Sequence, residues 1–432
     1  MSVSEEFETQ VRRADDPSSD TAGVVEQFQR ATAIGFHEAV TEAAGREVFL
    51  KIARAQRLLM RMVFDRSASP ESRHAEDPVL TYAGFGGRLN AGGANPVPVH
   101  KITAVTVSPA YRRKGLLSQQ IAADLREAAE QYPLAVLTAS EAGIYGRFGF
   151  GAASYRAAFT VHCRQGLELR FPVPGRVEEV TGQRMDGAFQ ELAERTLHSS
   201  FGAVDAAPFD EGYLLGQWDG WDTLTEPKNL RWAAYRDEHQ QITGMVCYKY
   251  ADHQGADTMQ IRGLVASTAQ ARVALLQHLA NHDLIEQIRG SGPVHEPLRL
   301  QLRDERQYTV RSLEDSLWLR VLNPVAALTA RGYVNDGRLL VNVADRLGIA
   351  EGIYLLEVTS GQPTVCRVAA EEYGELPMLS LDVAELGRLY LGQWSIGDLL
   401  EAGAATWRTG ADESSARRIF EAHSTPYTPF EF

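Results

Sequence analysis

The stretch that decides the fold comprises residues 103–120, TAVTVSPAYRRKGLLSQQ, and residues 132–151, YPLAVLTASEAGIYGRFGFG. Residues 100–107 alternate apolar and polar side chains, which predicts a strand. Residues 116–130 carry a leucine- and alanine-rich helical stripe. Residues 134–139 are almost wholly apolar, as in a buried central strand. The stretch therefore predicts a strand, a turn, a helix and a second strand in succession.

The turn in this stretch is cationic and reads Arg112-Arg113-Lys114-Gly115. Glycine lets the backbone turn tightly and approach a ligand closely. The helix that follows offers unpaired amides and the positive end of its dipole to an anion, and the three cations add charge for phosphates. A solvated basic turn is the alternative for these residues alone. The flanking strand and helix favour a phosphate cradle.

A second motif follows the apolar strand at residues 140–150, Ser-Glu-Ala-Gly-Ile-Tyr-Gly-Arg-Phe-Gly-Phe. Its central residue, Tyr145, stands close to the predicted cradle and is a candidate proton donor. The alternative is a core tyrosine with a satisfied hydroxyl group. The pattern around Tyr145 favours the functional interpretation.

Composition limits the classes of protein that remain. The chain has 432 residues, enough for two to four domains, and is 44% hydrophobic. Its net charge of −13 argues against a nucleic-acid binder, which would show a basic face. The sequence contains no run of 18 apolar residues, so it predicts no membrane-spanning helix. Cys163, Cys247 and Cys366 are too few and too widely spaced for a disulfide framework, which suits the cytoplasm.

The sequence also predicts no metal site, because its eleven histidines show no HxxH or HExxH spacing. Trp218 and Trp221 are interpreted as packing or interface residues in preference to substrate contacts. Residues 1–22 are charged and are expected to be mobile at their start. Helices are expected at residues 23–45 and 412–423, and the aromatic tail is expected to be ordered by docking or not ordered at all.

Three units are predicted along the chain, at residues 1–170, 171–318 and 319–432. Residues 259–267, MQIRGLVAS, echo residues 101–108, KITAVTVS, and both segments lead into a Leu- and Ala-rich helix. This weak internal repeat predicts two copies of one fold. The second copy has Thr-Ala-Gln-Ala-Arg at residues 268–272, with no glycine and one cation, so it is expected to lack the cradle.

Four segments resemble the enhanced intracellular survival (Eis) acetyltransferases of the GNAT superfamily. They are RRKGLL at 112–117, SEAGIYGRFGFG at 140–151, SLWLRVLNPVAALTARGY at 316–333 and FEF at 430–432. The general GNAT turn, R/Q-x-x-G-x-G/A, ends in a small residue, whereas this chain has Leu117, as the Eis proteins do.

The resemblance implies an α+β fold. Two tandem GNAT-like domains, with mixed, mainly antiparallel sheets and helices, would be followed by a sterol-carrier-protein-like α/β domain. The second GNAT unit would have no working coenzyme A site. The resemblance also implies a homohexamer that uses acetyl-CoA as cosubstrate to acetylate amines, including aminoglycoside antibiotics.

Site residues are implied by the same resemblance. Those for acetyl-CoA are Val105, Thr106, Val107, Arg113, Lys114, Gly115, Leu116, Leu117, Ser118, Ser140 and Glu141. Tyr145 would be the general acid, because a tyrosine pKa of about 10 is close enough to a thiol pKa of about 8.5 to share a proton. The carboxylate of Phe432 would be the general base. Its ordinary pKa of about 3.5 is low for that task, so it would act when partly buried or through water.

Candidate substrate contacts are Phe36, Glu38 and Glu431, although a surface helix carboxylate is the favoured interpretation of Glu38. The leading interpretation is an N-acetyltransferase of aminoglycosides or similar polyamines. One alternative is a lysine acetyltransferase acting on proteins or peptides. Another is a lipid- or small-molecule-binding protein with an idle acetyltransferase module, against which the intact turn and Tyr145 argue.

Overall fold

Three β-sheets and the helices around them form the protein, seen here in a computed structural model that describes residues 6–17, 21–220 and 227–432. The first strands are β1 (Phe7–Arg13), β2 (Leu59–Asp65), β3 (Leu80–Leu89), β4 (Val97–Val107), β5 (Leu134–Leu137) and β6 (Gly151–Ala152). The next are β7 (Tyr155–His162), β8 (Arg176–Val180), β9 (Arg231–Arg236), β10 (Ile242–His253), β11 (Ala256–Ala266), β12 (Gln287–Pro293) and β13 (Tyr308–Asp315). The last are β14 (Trp318–Val321), β15 (Gly337–Ala344), β16 (Gly352–Thr359), β17 (Gln362–Arg367), β18 (Met378–Asp382) and β19 (Ala405–Arg408).

Helices cover these sheets and connect their strands. The first half of the chain has α1 (Thr21–Gly35), α2 (Ala43–Ala55), α3 (Leu116–Ala128), α4 (Ala142–Tyr145), α5 (Asp186–Ser199) and α6 (Pro208–Leu215). The second half has α7 (Ala269–Ala280), α8 (Pro297–Gln301), α9 (Pro324–Ala330), α10 (Val383–Tyr390), α11 (Ile396–Glu401) and α12 (Glu413–Arg417). None of the helices in the described parts of the chain combines the length and the apolar character needed to cross a bilayer.

The sheets are mixed but mainly antiparallel. The first has the order β1-β2-β3-β4-β5-β14-β6, the second β13-β7-β12-β11-β10-β9-β8, and the third β17-β16-β15-β18-β19. Each contains a parallel pair, β4 with β5, β11 with β12, and β15 with β18. The parallel pairs in the first two sheets lie where the sequence shows its internal repeat.

The first two sheets exchange strands. β7 follows β6 directly in sequence but pairs with β12 and β13 in the second sheet. β14 follows β13 but pairs with β5 and β6 in the first sheet. By sequence, β7 precedes the boundary that we predicted at residue 170, and β14 lies at the one predicted at residue 318. By pairing, each strand belongs to the sheet on the other side of its boundary. The units at 1–170, 171–318 and 319–432 therefore stay a proposal.

Residues 7–13 form β1, which pairs with β2 from Phe7 opposite Asp65 to Arg13 opposite Leu59. The start of the chain, where mobility was expected, lies outside the described residues. Two expectations about helices are wrong. The helix expected at residues 23–45 stops at Gly35, because His37 adopts a left-handed φ of 64°. The helix expected at 412–423 is only α12, which follows the left-handed Asp412.

The C-terminal tail docks on residues of the second unit. The Tyr427 amide donates to the Phe201 carbonyl at 2.9 Å, and the Phe430 ring meets Phe189 edge-on at 6.3 Å between centroids. Phe430 and Phe432 are both buried. Trp218 is also buried, with its ring 5.9 Å from that of Phe209. Trp221, the other tryptophan predicted to pack, lies outside the described residues.

Candidate active site

A gap opens between β4 and β5 at the centre of the first sheet. The two strands pair in parallel from Val99 opposite Leu134 to Ile102 opposite Leu137, and there the pairing ends. Beyond it, Thr103 and Thr138 line a cavity of about 320 Å³. The separated strand ends leave room for an extended ligand between them.

A β-bulge bends β4 at this point. Thr81 of β3 pairs with Thr106, and Ala83 pairs with Thr103, so two residues of β4 face one residue of β3. Ala104, inside the bulge, has a positive φ of 53°, and its carbonyl accepts a hydrogen bond from the Thr81 hydroxyl at 2.9 Å. Because a bulge leaves ladder groups unpaired, it can present backbone amides to the cavity.

The cavity brings together catalytic and substrate residues that the sequence predicted. Predicted site residues in its wall are Phe36, Glu38, Val105, Ser140, Tyr145, Glu431 and Phe432. The other predicted cofactor residues stand further along β4, at the cationic turn, in the first turn of α3 and beside α4. They are Thr106, Val107, Arg113, Lys114, Gly115, Leu116, Leu117, Ser118 and Glu141.

Tyr145 ends the short helix α4 and is buried, with its ring 6.3 Å from that of Phe150. Burial, with a smaller contribution from the negative charge of Glu141, raises the pKa of Tyr145 to about 12. The phenol therefore stays protonated at neutral pH, and it can donate a hydrogen bond or a proton in the cavity.

Arg320 supports the turn that follows Tyr145. Its fully buried guanidinium donates to the Phe148 carbonyl and, at 2.7 Å, to Asp345 of the third unit. Gly149 has a left-handed φ of 81°, and a Cβ there would lie 1.7 Å from the Arg320 guanidinium. The third unit thus helps to hold the segment that carries Tyr145.

Phe432 also lines the cavity, and several contacts hold it there. Its ring meets the Phe85 ring edge-on at 6.0 Å, and the Lys101 ammonium lies 4.8 Å from the ring centroid. Its backbone oxygen accepts a hydrogen bond from the Thr138 hydroxyl at 3.3 Å. Lys101 is 1% exposed and pairs at 2.8 Å with Asp205 from the second unit. All three units therefore take part in placing Phe432.

The cavity wall is acidic. Glu38, Asp315 and Glu431 line it, with Arg156 as the accompanying cation. Arg156 pairs with Glu431 and, at 3.3 Å, with Glu314. This excess of carboxylates favours a cationic ligand, because opposite charges attract more strongly in a partly enclosed site than in open solvent.

Several residues of this wall were missed by the sequence interpretation. They are Phe28, Phe49, Gln56, Arg156, Asp315 and Ser316. Arg156 is the second residue of the exchanged strand β7 and Asp315 ends β13, so the exchange of strands brings them to the cavity. No local motif marks them, since their position depends on pairing across more than 150 residues.

The cationic turn at residues 112–115 leads directly into α3. Gly115 has a φ of 80°, and a Cβ there would meet no other atom within 4 Å, so glycine is favoured for its backbone and not for space. Arg113 is exposed and also has a positive φ, 65°. The first amides of α3 have no partner within the helix, and they suit an anion.

Lys114 differs from the expectation of three cations directed at phosphates. Its ammonium pairs with Glu6 at 3.2 Å and lies 5.0 Å from the Phe7 ring centroid. Lys114 therefore connects the turn to the start of β1, a contact that no sequence motif predicted. A phosphate role for Lys114 stays a prediction.

Comparison with protein families identifies three matching regions. A family described as "Acetyltransferase (GNAT) domain" matches residues 25–153, and a second family with the same description matches residues 212–321. A family described as "Sterol carrier protein domain" matches residues 324–429. These matches confirm the predicted α+β fold of two GNAT domains followed by a sterol-carrier-like domain.

Similar proteins cover most of the chain. An "Uncharacterized N-acetyltransferase" of Streptomyces avermitilis is 34% identical over 370 residues, 82% of this chain and 86% of that protein. "N-acetyltransferase Eis" of Mycobacterium tuberculosis is 31% identical over 362 residues, 80% of this chain and 83% of that protein. The crystal structure of Eis1 from Mycobacterium abscessus superposes with a TM-score of 0.77 at 23% identity, covering 98% of this chain and all of that one.

Proposed function

Because this chain belongs to the Eis family of GNAT N-acetyltransferases, we propose that it transfers acetyl from acetyl-CoA to an amine of an aminoglycoside or a similar polyamine. Such an activity would confer antibiotic resistance. That the chain is an acetyl-CoA-dependent N-acetyltransferase follows from the family. The polyamine substrate rests on one observation, the acidic cavity that Tyr145 and Phe432 share.

In the proposed reaction the amine attacks the thioester directly. The carboxylate of Phe432, at the end of the sequence, takes the ammonium proton, directly or through water, and the free amine then forms the N–C bond. Backbone amides at the bulge around Ala104 hold the oxyanion of the tetrahedral intermediate. The C–S bond breaks, the leaving thiolate takes the Tyr145 proton, and the nitrogen loses its second proton, which passes through water to the Tyr145 phenolate. Phe432 returns the first proton to solvent. The products are the amide, coenzyme A and one proton.

Acetyl-CoA would lie along the first unit. Val105, Thr106 and Val107 offer strand-edge groups to the pantetheine arm, with Ser140 and Glu141 beside it. Arg113 and the amides from Gly115 to Ser118 hold the phosphates, since an uncapped helix start and a guanidinium both favour anions. Lys114 would contribute if it leaves Glu6. At the opposite end, Phe36, Glu38 and Glu431 would contact the amine.

Thiol release tests this function. Purified chain is mixed with acetyl-CoA and a panel of aminoglycosides, polyamines and lysine peptides, and the products are weighed by mass spectrometry. We expect turnover of the polyamines with one acetyl group gained per thiol released. Faster turnover of lysine peptides would favour the protein-directed alternative. Coenzyme A binding without turnover of any amine would support the idle module and reject the proposal.

Adding one alanine after Phe432 tests the proposed base, with intact mass confirming the terminus of each protein. The extension moves the carboxylate away from its place near Thr138, so we expect kcat to fall by about 10²- to 10⁴-fold. The Kd of coenzyme A should not change. An unchanged kcat would remove the carboxylate from the mechanism.

Tyr145→Phe tests the proposed acid. The ring packing is kept and only the hydroxyl is lost, so we expect a kcat lower by about 10²-fold or more with an unaltered thermal midpoint. Tyr155→Phe, on the neighbouring strand β7, is the matched control and should retain activity. Wild-type turnover by Tyr145→Phe would mean that another group protonates the thiolate.

We also propose that the chain forms a homohexamer in the cytoplasm, as the family resemblance implies. Among the described residues, Cys163, Cys247 and Cys366 are all free, which suits a reducing compartment. Light scattering should then give a mass of about six times the 47.6 kDa of one chain. A monomer or dimer at assay concentration would reject the hexamer.

A further inference from the structure

A cluster of two histidines and one carboxylate lies in the second unit, away from the residues of the active-site cavity. His278 stands on α7, and His282 follows the end of that helix, four residues later. Glu179 stands on β8, the edge strand of the second sheet. One ligand atom from each of the three side chains lies within 4.8 Å of the other two.

The geometry of His282 leaves one nitrogen suited to a metal ion. Its Nδ1 lies 3.1 Å from the His278 carbonyl, which can only accept, so Nδ1 carries the proton and Nε2 keeps its lone pair. Metal-binding histidines commonly donate their second nitrogen to a carbonyl in this way. The neighbour of Nε2 is the Tyr248 hydroxyl, at the long distance of 3.4 Å.

His278 supplies an independent observation. Its Nε2 is buried and has no hydrogen-bond partner among the described residues. A buried polar atom without a hydrogen-bond partner is energetically costly, and coordination of a metal ion would satisfy it. The two imidazole rings lie 5.0 Å apart, within reach of one ion after small side-chain adjustments.

We propose that Glu179, His278 and His282 bind one divalent transition-metal ion, with Zn²⁺ the expected metal. Two imidazoles and a carboxylate form a ligand set that Zn²⁺ takes, with the fourth position left for water. The Tyr248 hydroxyl is placed to hydrogen-bond to that water. The bound ion ties the edge strand β8 to α7, so it stabilises the second unit. His278 and His282 have the i, i+4 spacing of HExxH but lack its glutamate, so the expectation of no metal site, which was based on HxxH and HExxH, did not cover this pair.

Zinc binding by the full, untagged chain tests the proposal. After treatment with EDTA and its removal, the protein is titrated with Zn²⁺ by calorimetry, and Co²⁺ is used as a spectroscopic probe. We expect one high-affinity Zn²⁺ per chain, a tetrahedral Co²⁺ spectrum and a Zn²⁺-dependent rise of several °C in Tm. His278→Ala and His282→Ala should each weaken Zn²⁺ binding at least about tenfold and remove the rise in Tm.

Two further variants keep the test decisive. His198→Ala removes an exposed histidine that contacts Glu194 at 3.1 Å on α5, and it should bind Zn²⁺ as the wild type does. Glu179→Gln changes an exposed side chain, so it should fold even where a histidine variant does not, and it should bind Zn²⁺ more weakly. No high-affinity Zn²⁺ in the wild type, or binding that survives both Glu179→Gln and His282→Ala, would overturn the proposal.

Discussion

The two GNAT units differ at the start of their central helix: one helix start has a side-chain cap and the other has none. In the first unit, α3 follows the left-handed Gly115 and has no side-chain cap. In the second, α7 follows Thr268, whose hydroxyl accepts the Ala271 amide at 3.1 Å. In the second unit the Thr268 side chain therefore caps the helix start, whereas the corresponding helix start of the first unit is left open. The difference teaches that one fold can carry a cofactor cradle or a structural cap, according to a few residues in one turn.

The cations near these helix starts differ in the same sense. Arg113 is exposed, whereas Arg272 is buried and pairs with Glu296 at 2.6 Å. Burial lowers the pKa of Arg272, but Glu296, together with Tyr427 and Tyr308, keeps the pKa above its ordinary value. Gly292 of β12 leaves room for this guanidinium, since a Cβ there would lie 2.1 Å from it. The second unit uses its cation for packing.

Both units also meet the C-terminal tail through a buried cation. The Arg272 guanidinium lies 5.8 Å from the Tyr427 ring centroid, and the Lys101 ammonium lies 4.8 Å from that of Phe432. The tail therefore runs from the capped unit to the open one. Only its last residues, Glu431 and Phe432, reach the cavity wall.

The largest effect is expected from Glu296→Gln. This change leaves the Arg272 charge buried without its partner, which costs about 3–5 kcal/mol. We expect a clear fall in Tm, while the KM for acetyl-CoA of the remaining folded protein stays constant. Glu178→Gln is the control: its carboxylate pairs with Arg236 at a partly exposed site, so its loss should change Tm little. Equal falls in Tm for the two variants would contradict the claim that the buried Arg272 depends on Glu296 for its stability.

A smaller effect is expected from Arg113→Gln, and it should fall on acetyl-CoA binding and not on stability. Since Arg113 is exposed, its loss should leave Tm unchanged. A charge-assisted contact to phosphate contributes about 1.5 kcal/mol or more, so the KM for acetyl-CoA should rise by about tenfold. Arg126→Gln, at the other end of α3, should leave KM unchanged. A stability loss without a KM change would assign Arg113 a structural role instead.

The smallest effects on stability are expected from substitutions at the two helix starts, and these substitutions should differ in their effect on the KM for acetyl-CoA. Thr268→Ala loses a cap and Gly115→Ala places a side chain at a positive φ, and each should cost about 1 kcal/mol of stability. Only Gly115→Ala should also raise the KM for acetyl-CoA, because its methyl group faces the open turn. If Thr268→Ala raised KM equally, the second unit would have to contribute to acetyl-CoA binding.

Local patterns predicted the elements that local physics controls. The alternation at residues 100–107, the glycine at 115 and the internal repeat predicted a strand, a turn, a helix and a second copy, and the family matches confirm the two-copy fold. The sequence also placed Tyr145 and Phe432 among the candidates, and both line one cavity. Their catalytic roles stay predictions.

The rest depends on contacts between distant segments. The exchange of β7 and β14 joins strands across about 160 residues, and it carries Arg156 and Asp315 to the cavity. The pairing of Lys101 with Asp205 joins two units, and that of Lys114 with Glu6 joins the turn to β1. No spacing rule encodes such pairs, because they are selected by packing and charge after the sheets have formed.

Calorimetric titration of the chain with coenzyme A tests the central claim, that the first unit alone holds the cofactor. We expect one coenzyme A per chain, a Kd raised by Arg113→Gln and a Kd unchanged by Thr268→Ala. Two coenzyme A molecules per chain, or one whose affinity responds to Thr268→Ala and not to Arg113→Gln, would contradict the account.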